Sequence, residues 1–335
     1  MTGGALSFLQ RLVPFAVGML ATVATASAAH SQTRPLAELV SAVVRVKAAI
    51  EPDGRTIDAL GREREGSGVV IDGDGLVLTV GYLMVEARAV EIGMNDGRTV
   101  PATVVGYDHE TGFGLLRALV PLNVPPLGLG RSADLKEGEP ALVASFGGPA
   151  MVAPAHVAAK REFAGSWEYL LDEAIFTAPP HPAWSGAALI NRQGRLVGIG
   201  SLVLGEIGAG NGPGNMFIPV DLLPPILGDL IAQGRTSGAR RPWLGLTVNE
   251  VRGELLVARV TPGGPAAAAG LQPGATIVGV NGERPENLAA FYRKVWAQGG
   301  AGAVIPLDLS QDSTVRRVEI TSMDRLDHLK LKSSL

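Results

Sequence analysis

The stretch that decides the fold spans residues 66–85 and reads GSGVVIDGDGLVLTVGYLMV. Two short apolar runs, 68–71 and 76–79, are separated by the Asp/Gly turn at 72–75. Apolar runs divided by such a turn predict two strands of an antiparallel hairpin. The segment then continues into residues 81–84, which have the pattern of a strand entering a short helical turn. The segment therefore indicates a β protein.

The same alternation of short apolar runs and turn signals extends from Leu39 to about Val220. Turn sequences recur at 95–97, 147–149 and 192–194. Many short strands separated by Gly, Asp and Asn predict antiparallel barrels or sandwiches. A segment of about 180 residues is too long for one small barrel and fits two.

The chain changes character after Val220. Apolar residues recur at helical spacing from Leu222 to Ile231, which predicts a helix. Asp221 is expected to cap this helix and Gly234 to end it. A polar linker and a second, smaller domain follow. The expected divisions are a signal peptide at 1–28, a double-barrel domain at 36–222, a helix and linker at 223–241, a second domain at 242–325 and a tail at 326–335.

Composition excludes several classes of function. The 335 residues include 46% hydrophobic residues and carry a formal charge of -3, so nothing points to nucleic acid. The chain has no cysteine, which excludes thiol catalysis, disulfides and thiolate metal sites. We expect neither a cofactor nor a metal ion.

The first 28 residues have the features of a secretory signal peptide. They combine the basic residue Arg11, a short apolar stretch and the small-residue site at 26–28, which predicts cleavage after Ala28. An uncleaved membrane anchor is the alternative, and the shortness of the apolar stretch disfavours it. Because a stray thiol is a liability in an oxidising compartment, a cysteine-free exported chain suits the periplasm.

Several motifs, in a fixed order along the chain, carry a resemblance to a known family. They are GSGVVID at 66–72, GLVLT at 75–79, NDGR at 95–98, PATVVG at 101–106, NRQGRLVGI at 191–199 and FIPV at 217–220. Together they resemble the HtrA/Deg family of periplasmic chymotrypsin-like serine proteases with a C-terminal PDZ domain, over roughly residues 36–322. The resemblance implies a mainly β chain, with a trypsin-like double six-stranded β-barrel followed by an α+β PDZ domain.

Two of the family's catalytic positions are changed. The family places its histidine in a Leu-Thr-x-x-His-Val segment, and Tyr82 occupies that position in LTVGYL. Its aspartate lies in a segment that corresponds to residues 106–116, where Gly112 stands at the carboxylate position. A phenol with a pKa near 10 is a poor proton acceptor at neutral pH. Because loss of the activating pair costs about a million-fold in turnover, the resemblance implies loss of ordinary endopeptidase activity.

The nucleophile position is retained, while its surroundings differ. The family's Gly-Asn-Ser-Gly-Gly-Pro segment corresponds to AWSGAA at 183–188, which keeps Ser185. Ala183 replaces the glycine whose amide forms half of the oxyanion hole, and a Cβ restricts the backbone there. Without a base, Ser185 is expected to fill a tight turn. Tyr82 is expected to pack into and plug the cleft.

Two histidines lie near these positions in the sequence. His109 precedes Gly112 by three residues, and His181 precedes Ser185 by four. A replacement base must reach the serine hydroxyl by a hydrogen bond. Because polar residues of connecting segments usually face water, we expect both histidines to be surface loop residues.

The second domain keeps more of the family pattern. RPWLGL at 241–246 resembles the carboxylate-binding loop of a PDZ groove, and residues 260–274 and 277–282 match the middle of that domain. A helix at 287–298 is predicted to line the groove. Such a groove adds a peptide as an extra strand and captures its terminal carboxylate. The expected peptide-binding residues are Trp243, Leu244, Gly245, Leu246, Phe291 and Val295. The alternative is a PDZ domain that serves only as an intramolecular brace.

The sequence therefore predicts an exported pseudoprotease that binds peptides, protein C-termini or unfolded envelope proteins without cleaving them. The first alternative is a serine-type endopeptidase or hydrolase with residual or rebuilt activity at Ser185. The second is a structural subunit of a larger assembly, with the old active site as an interface. Family members commonly trimerise through aromatic residues near the mature N-terminus. No Phe, Tyr or Trp occurs between residues 29 and 81, which weakens the expectation of a trimer without replacing it, and a homo-oligomer is left open.

Overall fold

The computed structural model describes Met1 and residues 35–208, 210, 212–311 and 314–331. The predicted signal peptide and its cleavage site lie outside the described residues. The helices and strands all belong to one unit of the chain. Over the described residues, none of the helices has the length and apolar character needed to cross a membrane.

Six antiparallel strands close the first barrel, in the order β1-β2-β3-β6-β5-β4. They are β1 (Val43–Ile50), β2 (Glu63–Val70), β3 (Leu76–Val80), β4 (Ala87–Gly93), β5 (Thr99–Tyr107) and β6 (Phe113–Ala118), with helix α1 (Leu36–Ser41) before β1 and helix α2 (Ile57–Leu60) after it. The predicted hairpin is present, since Val69 pairs with Leu78. A 3-10 turn, Gly81–Leu83, follows β3 as its sequence indicates.

A second set of six strands closes the second barrel, in the order β10-β11-β12-β9-β8-β7. They are β7 (Pro140–Ala144), β8 (Val152–Gly165), β9 (Tyr169–Ala178), β10 (Ala188–Ile190), β11 (Leu196–Leu204) and β12 (Gly214–Pro219). Strands β8 and β9 form a long hairpin whose tip is the segment 165–169. We call this segment the β8–β9 tip.

Helix α3 (Pro224–Gln233) connects the barrels to the second domain. It ends at Gly234, whose φ of 73° gives the left-handed cap that the sequence predicts. The predicted cap at Asp221 is wrong, because this residue lies in a preceding 3-10 turn. Its carboxylate instead accepts hydrogen bonds from the backbone amides of Ser132 (3.0 Å) and Ala133 (2.8 Å).

The second domain is a five-stranded antiparallel sheet in the order β13-β14-β15-β16-β17. Its elements are β13 (Leu246–Val251), β14 (Glu254–Val260), α4 (Pro265–Ala268), β15 (Thr276–Val280), α5 (Leu288–Ala297), β16 (Val304–Gln311), β17 (Thr314–Thr321) and α6 (Arg325–His328). The side chain of Asn287 caps α5 by accepting a hydrogen bond from the amide of Ala290 at 2.8 Å. The architecture confirms the predicted double six-stranded barrel followed by an α+β domain.

Candidate functional site

Tyr82 fills the cleft next to Ser185. Its Oη lies 2.9 Å from Oγ of Ser185 and 2.9 Å from the carbonyl oxygen of Ser201. A carbonyl oxygen can only accept, so the phenolic proton goes to Ser201 and the Ser185 hydroxyl donates its own proton to Oη. Burial raises the pKa of Tyr82 above its ordinary value of 10.0. The side chain hydrogen-bonded to Ser185 is therefore a neutral phenol, which is a poor proton acceptor.

The backbone around Tyr82 is fixed from two directions. The buried guanidinium of Arg64 donates hydrogen bonds to the carbonyl oxygens of Tyr82 (2.7 Å) and Val85 (3.1 Å). The amide of Gly81 donates to the carbonyl oxygen of Gly112 at 2.7 Å. These bonds hold the 3-10 turn that carries Tyr82. The position of the tyrosine ring in the cleft is therefore fixed by the backbone around it.

The turn that carries Ser185 keeps a tight backbone. Gly186 has a φ of 73°, and a Cβ there would lie 1.9 Å from the carbonyl oxygen of Ser67. The amide of Ser67 in turn donates to the carbonyl oxygen of Ser185 at 2.8 Å. Only glycine fits a left-handed position with backbone so close. The serine is therefore held by the scaffold in a defined turn.

The amide of Ala183, at the predicted oxyanion position, has an internal partner. It donates a hydrogen bond to Nδ1 of His181 at 3.1 Å. Asn215 anchors this histidine by accepting from its amide at 2.6 Å, and burial lowers its pKa. The expectation that His181 faces water is wrong, since its exposed fraction is only 5%. A preorganised donor must aim at the developing oxyanion, and this amide is instead bonded to a ring nitrogen.

Gly112, the predicted position of the family's catalytic aspartate, has little room for a side chain. Gly112 has a φ of 86°, and a Cβ there would lie 3.1 Å from Oη of Tyr169 and 3.2 Å from Cδ1 of Ile218. The Tyr169 hydroxyl is held in place, because it donates to the carbonyl oxygen of Thr111 at 2.6 Å. The packing around Gly112 therefore crowds any side chain at this position.

His109 faces the second domain. Its Nδ1 is buried with no hydrogen-bond partner, and burial lowers its pKa to about 4. It lines a small cavity together with Glu168 and Trp243, whereas the cleft beside Ser185 has a different lining. His109 therefore belongs to the contact between the domains. Neither nearby histidine takes the place of a catalytic base at the serine.

An open cleft of about 420 Å³ remains beside Ser185. Its walls include Arg45, Glu65, Phe146 and Trp184. The guanidinium of Arg45 lies over the Phe146 ring, with its central carbon 5.6 Å from the ring centre. The cleft thus has space and both polar and aromatic walls.

The predicted carboxylate-binding loop is occupied by a side chain of the same protein. The backbone amides of Leu244, Gly245 and Leu246 donate to the carboxylate of Glu168, at 2.9, 2.7 and 2.8 Å respectively. All six residues expected to bind peptide are buried. Sequence reasoning missed Glu168, which lies at the β8–β9 tip, 76 residues before Leu244. No local motif marks it, because its role depends on where the hairpin ends.

These features define a class of protein: a trypsin-like peptidase fold joined to a PDZ domain. Residues 66–199 match the trypsin-like peptidase domain family, and residues 236–293 match the PDZ domain family. The chain is 31% identical over 279 residues to a probable periplasmic serine endoprotease DegP-like of Pseudomonas fluorescens, covering 78% of this chain and 57% of the relative. It is 30% identical over 307 residues to the serine protease PepD of Mycobacterium tuberculosis, covering 83% of this chain and 65% of the relative.

Among solved structures, the HtrA-type protease AlgW with a decapeptide is similar, with a TM-score of 0.52 and 22% identity. The similarity covers 89% of this chain and all of the AlgW chain, and it supports the fold. The chain belongs to the HtrA/Deg family. It spans about three fifths of the length of these two curated relatives.

Proposed function

We propose that this protein is an exported pseudoprotease of the HtrA/Deg family, which binds peptides or unfolded envelope proteins without cleaving them. The observation that carries the proposal is the 2.9 Å contact between Oη of Tyr82 and Oγ of Ser185. A serine nucleophile needs a base that takes its proton, and a neutral phenol does not supply one at neutral pH. The serine hydroxyl is thereby held in its protonated form.

Two further observations support the loss of cleavage. The amide of Ala183 is bonded to His181, so one donor of the oxyanion hole is engaged. Gly112 supplies no carboxylate, and the Tyr169 hydroxyl crowds the space where one would begin. Base, orienting group and oxyanion donor act as a unit in such enzymes, so their joint alteration leaves little chemistry to recover.

Binding is supported by different features. The PDZ domain has a peptide-recognition groove that works through backbone amides and needs no titrating side chain. The similar protease AlgW was solved with a decapeptide. The name of the Pseudomonas fluorescens relative places that protein in the periplasm, and the predicted signal peptide of this chain agrees with that location. The cleft of about 420 Å³ beside Ser185 offers a second surface for an extended segment.

A fluorophosphonate probe tests the proposal, since it labels serines that a protein activates as nucleophiles. Wild-type protein and the Ser185→Ala variant are incubated with the probe, and labelling is read by intact mass. The proposal predicts the same background signal for both proteins. Labelling of the wild type that disappears in Ser185→Ala would favour the alternative, a working hydrolase that uses Ser185.

A further inference from the structure

The clearest unassigned feature of the molecule is the burial of Glu168 against the PDZ loop. The Glu168 side chain comes from the second barrel, and its exposed fraction is 7%. Its two carboxylate oxygens accept three hydrogen bonds from successive backbone amides, those of residues 244–246. Successive amides that converge in this way form an anion-binding concavity. The loop therefore already binds one carboxyl group, and that group belongs to the protein itself.

The β8–β9 tip also reproduces the strand-like part of peptide recognition. The amide of Val248, in β13, donates to the carbonyl oxygen of Ser166 at 2.8 Å. A PDZ groove binds its ligand by main-chain hydrogen bonds to this kind of strand edge, together with capture of the carboxylate. Leu170 follows the tip and packs into the apolar core of the PDZ domain. Both parts of the recognition mode are thus supplied from within the chain.

Helix α5, on the other side of the groove, holds the tip in place. The hydroxyl of Tyr292 donates to the carbonyl oxygen of Gly165 at 2.7 Å and accepts from the amide of Glu168 at 3.1 Å. Arg293 pairs with Glu162 on β8 and with Asp172 on β9. Strand β13 and helix α5, the two walls of the groove, therefore both contact the hairpin.

The groove is closed at its carboxylate-binding end and open at its outer end. The cavity beside Glu168 and Trp243 measures about 10 Å³, which is no more than one water molecule requires. The outer part of the groove, between β13 and the first turn of α5, is an open cleft of about 700 Å³. A peptide can thus approach the outer groove, but its terminal carboxylate has no free place at the loop.

Docking of Glu168 in the loop is opposed by backbone strain and by burial of its carboxyl group. A peptide ligand would not carry the strain at position 168. Its φ of 59° lies in the left-handed region, which is strained for a residue with a Cβ atom. Burial also raises the pKa of its carboxyl group to about 7, so the buried charge is only partly offset by the three amides. Both effects make the docked side chain replaceable by a better-placed carboxylate.

We propose that Glu168 is an internal ligand that closes the carboxylate end of the PDZ groove, and that a peptide with a free C-terminal carboxylate binds by displacing it. This inference rests on the proposed peptide-binding function. It adds a regulatory step, because the groove is closed until a competing carboxylate is present. A peptide with an amidated C-terminus lacks the competing group and is excluded from this site.

Two variants remove the internal ligand in different ways. Glu168→Gly deletes the carboxylate and suits the left-handed backbone, so the hairpin keeps its shape. Glu168→Gln keeps an acceptor but loses the charge. Asp172→Ala is the matched control, because it removes an exposed hairpin–PDZ ion pair without touching the loop. Each protein is exposed to octapeptides randomised at the last three positions, with either free or amidated C-termini, and retained peptides are quantified by mass spectrometry.

Amide hydrogen exchange at residues 244–246 is measured on the same full-length proteins without peptide. We expect slow exchange in the wild type and in Asp172→Ala, at least tenfold faster exchange in Glu168→Gly, and an intermediate rate in Glu168→Gln. We expect Glu168→Gly to retain at least tenfold more free-acid peptide than the wild type, with no such gain for the amidated peptides.

The two readouts separate failure of this inference from failure of the proposed function. Equal exchange at residues 244–246 in wild type and Glu168→Gly would overturn the closure by Glu168, and so would retention of free-acid peptides by both proteins in equal, measurable amounts. If the amides become exposed in Glu168→Gly and no peptide is retained, the proposed peptide-binding function fails instead. Displacement of Glu168 by peptide would then be excluded as well.

Discussion

The hydroxyl of Tyr82 lies 2.9 Å from the hydroxyl of Ser185, and the proposed function assigns Tyr82 to the position of the family's catalytic histidine. The same phenol donates to the carbonyl oxygen of Ser201, also at 2.9 Å. The three groups form a short, directed chain of hydrogen bonds across the cleft. Tyr82 therefore fills the cleft and is hydrogen-bonded to Ser185.

Removing the Tyr82 hydroxyl should destabilise the protein without activating it. Tyr82→Phe leaves Ser185 and the carbonyl of Ser201 without their shared partner, at an expected cost of about 1 kcal/mol or more in the free energy of unfolding. A double-mutant cycle with Ser185→Ala should give a coupling energy of about 0.5–1.5 kcal/mol between the two hydroxyls. Urea denaturation measures all four proteins, and strictly additive effects would show that the bond does not form in solution.

Restoring the aspartate should be costly because of local packing. Gly112→Asp places a side chain at a φ of 86° and within 3.1 Å of the Tyr169 hydroxyl. Gly97→Asp is a matched control, since Gly97 has a φ of 89° and open space around it. Both variants carry the left-handed penalty of about 1–2 kcal/mol. We expect Gly112→Asp to lose about 1–3 kcal/mol more than the control.

Denaturant unfolding of the two aspartate variants measures that difference. Equal destabilisation of Gly112→Asp and Gly97→Asp would mean that the Tyr169 hydroxyl moves aside freely. Crowding at position 112 would then be excluded as a barrier to the aspartate.

Closure of the PDZ groove should weaken as pH rises. Burial raises the pKa of Glu168 from 4.5 to about 7, so the docked side chain binds a proton more tightly than the released one. Proton binding to Glu168 stabilises the docked state in full below about pH 4.5, and this stabilisation is lost as pH rises through about 7. Free-acid peptides should therefore be retained better at pH 7.5 than at pH 5, by at most about 60-fold for these two pKa values.

The comparison needs a variant in which Glu168 does not titrate. Other titratable or charged groups face it from neighbouring elements: Arg325 on α6, Tyr292 on α5, Arg241 before the loop, and His109 and Glu110 across the small cavity. His109 has its pKa lowered by burial to about 4 and so stays neutral across this range. Glu168→Gln keeps all of these groups, and its peptide retention should change much less with pH. The same pH profile in Glu168→Gln and the wild type would assign the effect to another group.

Glu86 should show the opposite pH dependence. Burial opposes its ionisation, but the hydrogen bonds from Lys330, Thr56 and Arg55 hold the pKa of its carboxyl group below 4.5. The stability it contributes is present above about pH 4.5 and is lost as pH falls through its lowered pKa. Glu86→Gln should reduce the free energy of unfolding by about 1–3 kcal/mol at pH 7, with a smaller difference at pH 3.

Thermal or urea unfolding at both pH values checks this, with the exposed residue Glu63 changed to Gln as the control. Because the amide of Lys330 contacts Glu86 at 2.7 Å, the variant should also free the C-terminal tail. A pH-independent loss of stability would contradict the role assigned to the ionised carboxylate.

The sequence predicts the fold and the position of a site residue wherever that residue lies within a recognisable motif. The order of glycine-rich and apolar motifs predicted both barrels and the PDZ domain, and their frame placed Tyr82 beside Ser185. The groups that complete the site come from distant segments without motifs of their own. The carbonyl of Ser201 is a backbone atom with no sequence signature. The burial of His181 depends on Asn215, which lies 34 residues away.

The PDZ groove is a second case in which a group from a distant segment, without a motif of its own, completes a site. The sequence at 241–246 has a known pattern, which predicts an anion-binding loop. Which anion occupies the loop depends on the length of β8 and β9 and on the position of Glu168 at their tip. The alternative of an intramolecular brace therefore gains support from geometry that no local motif carries.

Digestion of an unfolded protein tests the central claim most directly. Wild-type protein and Ser185→Ala are incubated separately with casein for an extended period, and all casein-derived masses are quantified. We predict that casein stays intact in both samples, with no fragment that depends on Ser185. Fragments that accumulate with the wild type and are absent with Ser185→Ala would show that the protein cleaves peptide bonds, and would contradict its assignment as a pseudoprotease.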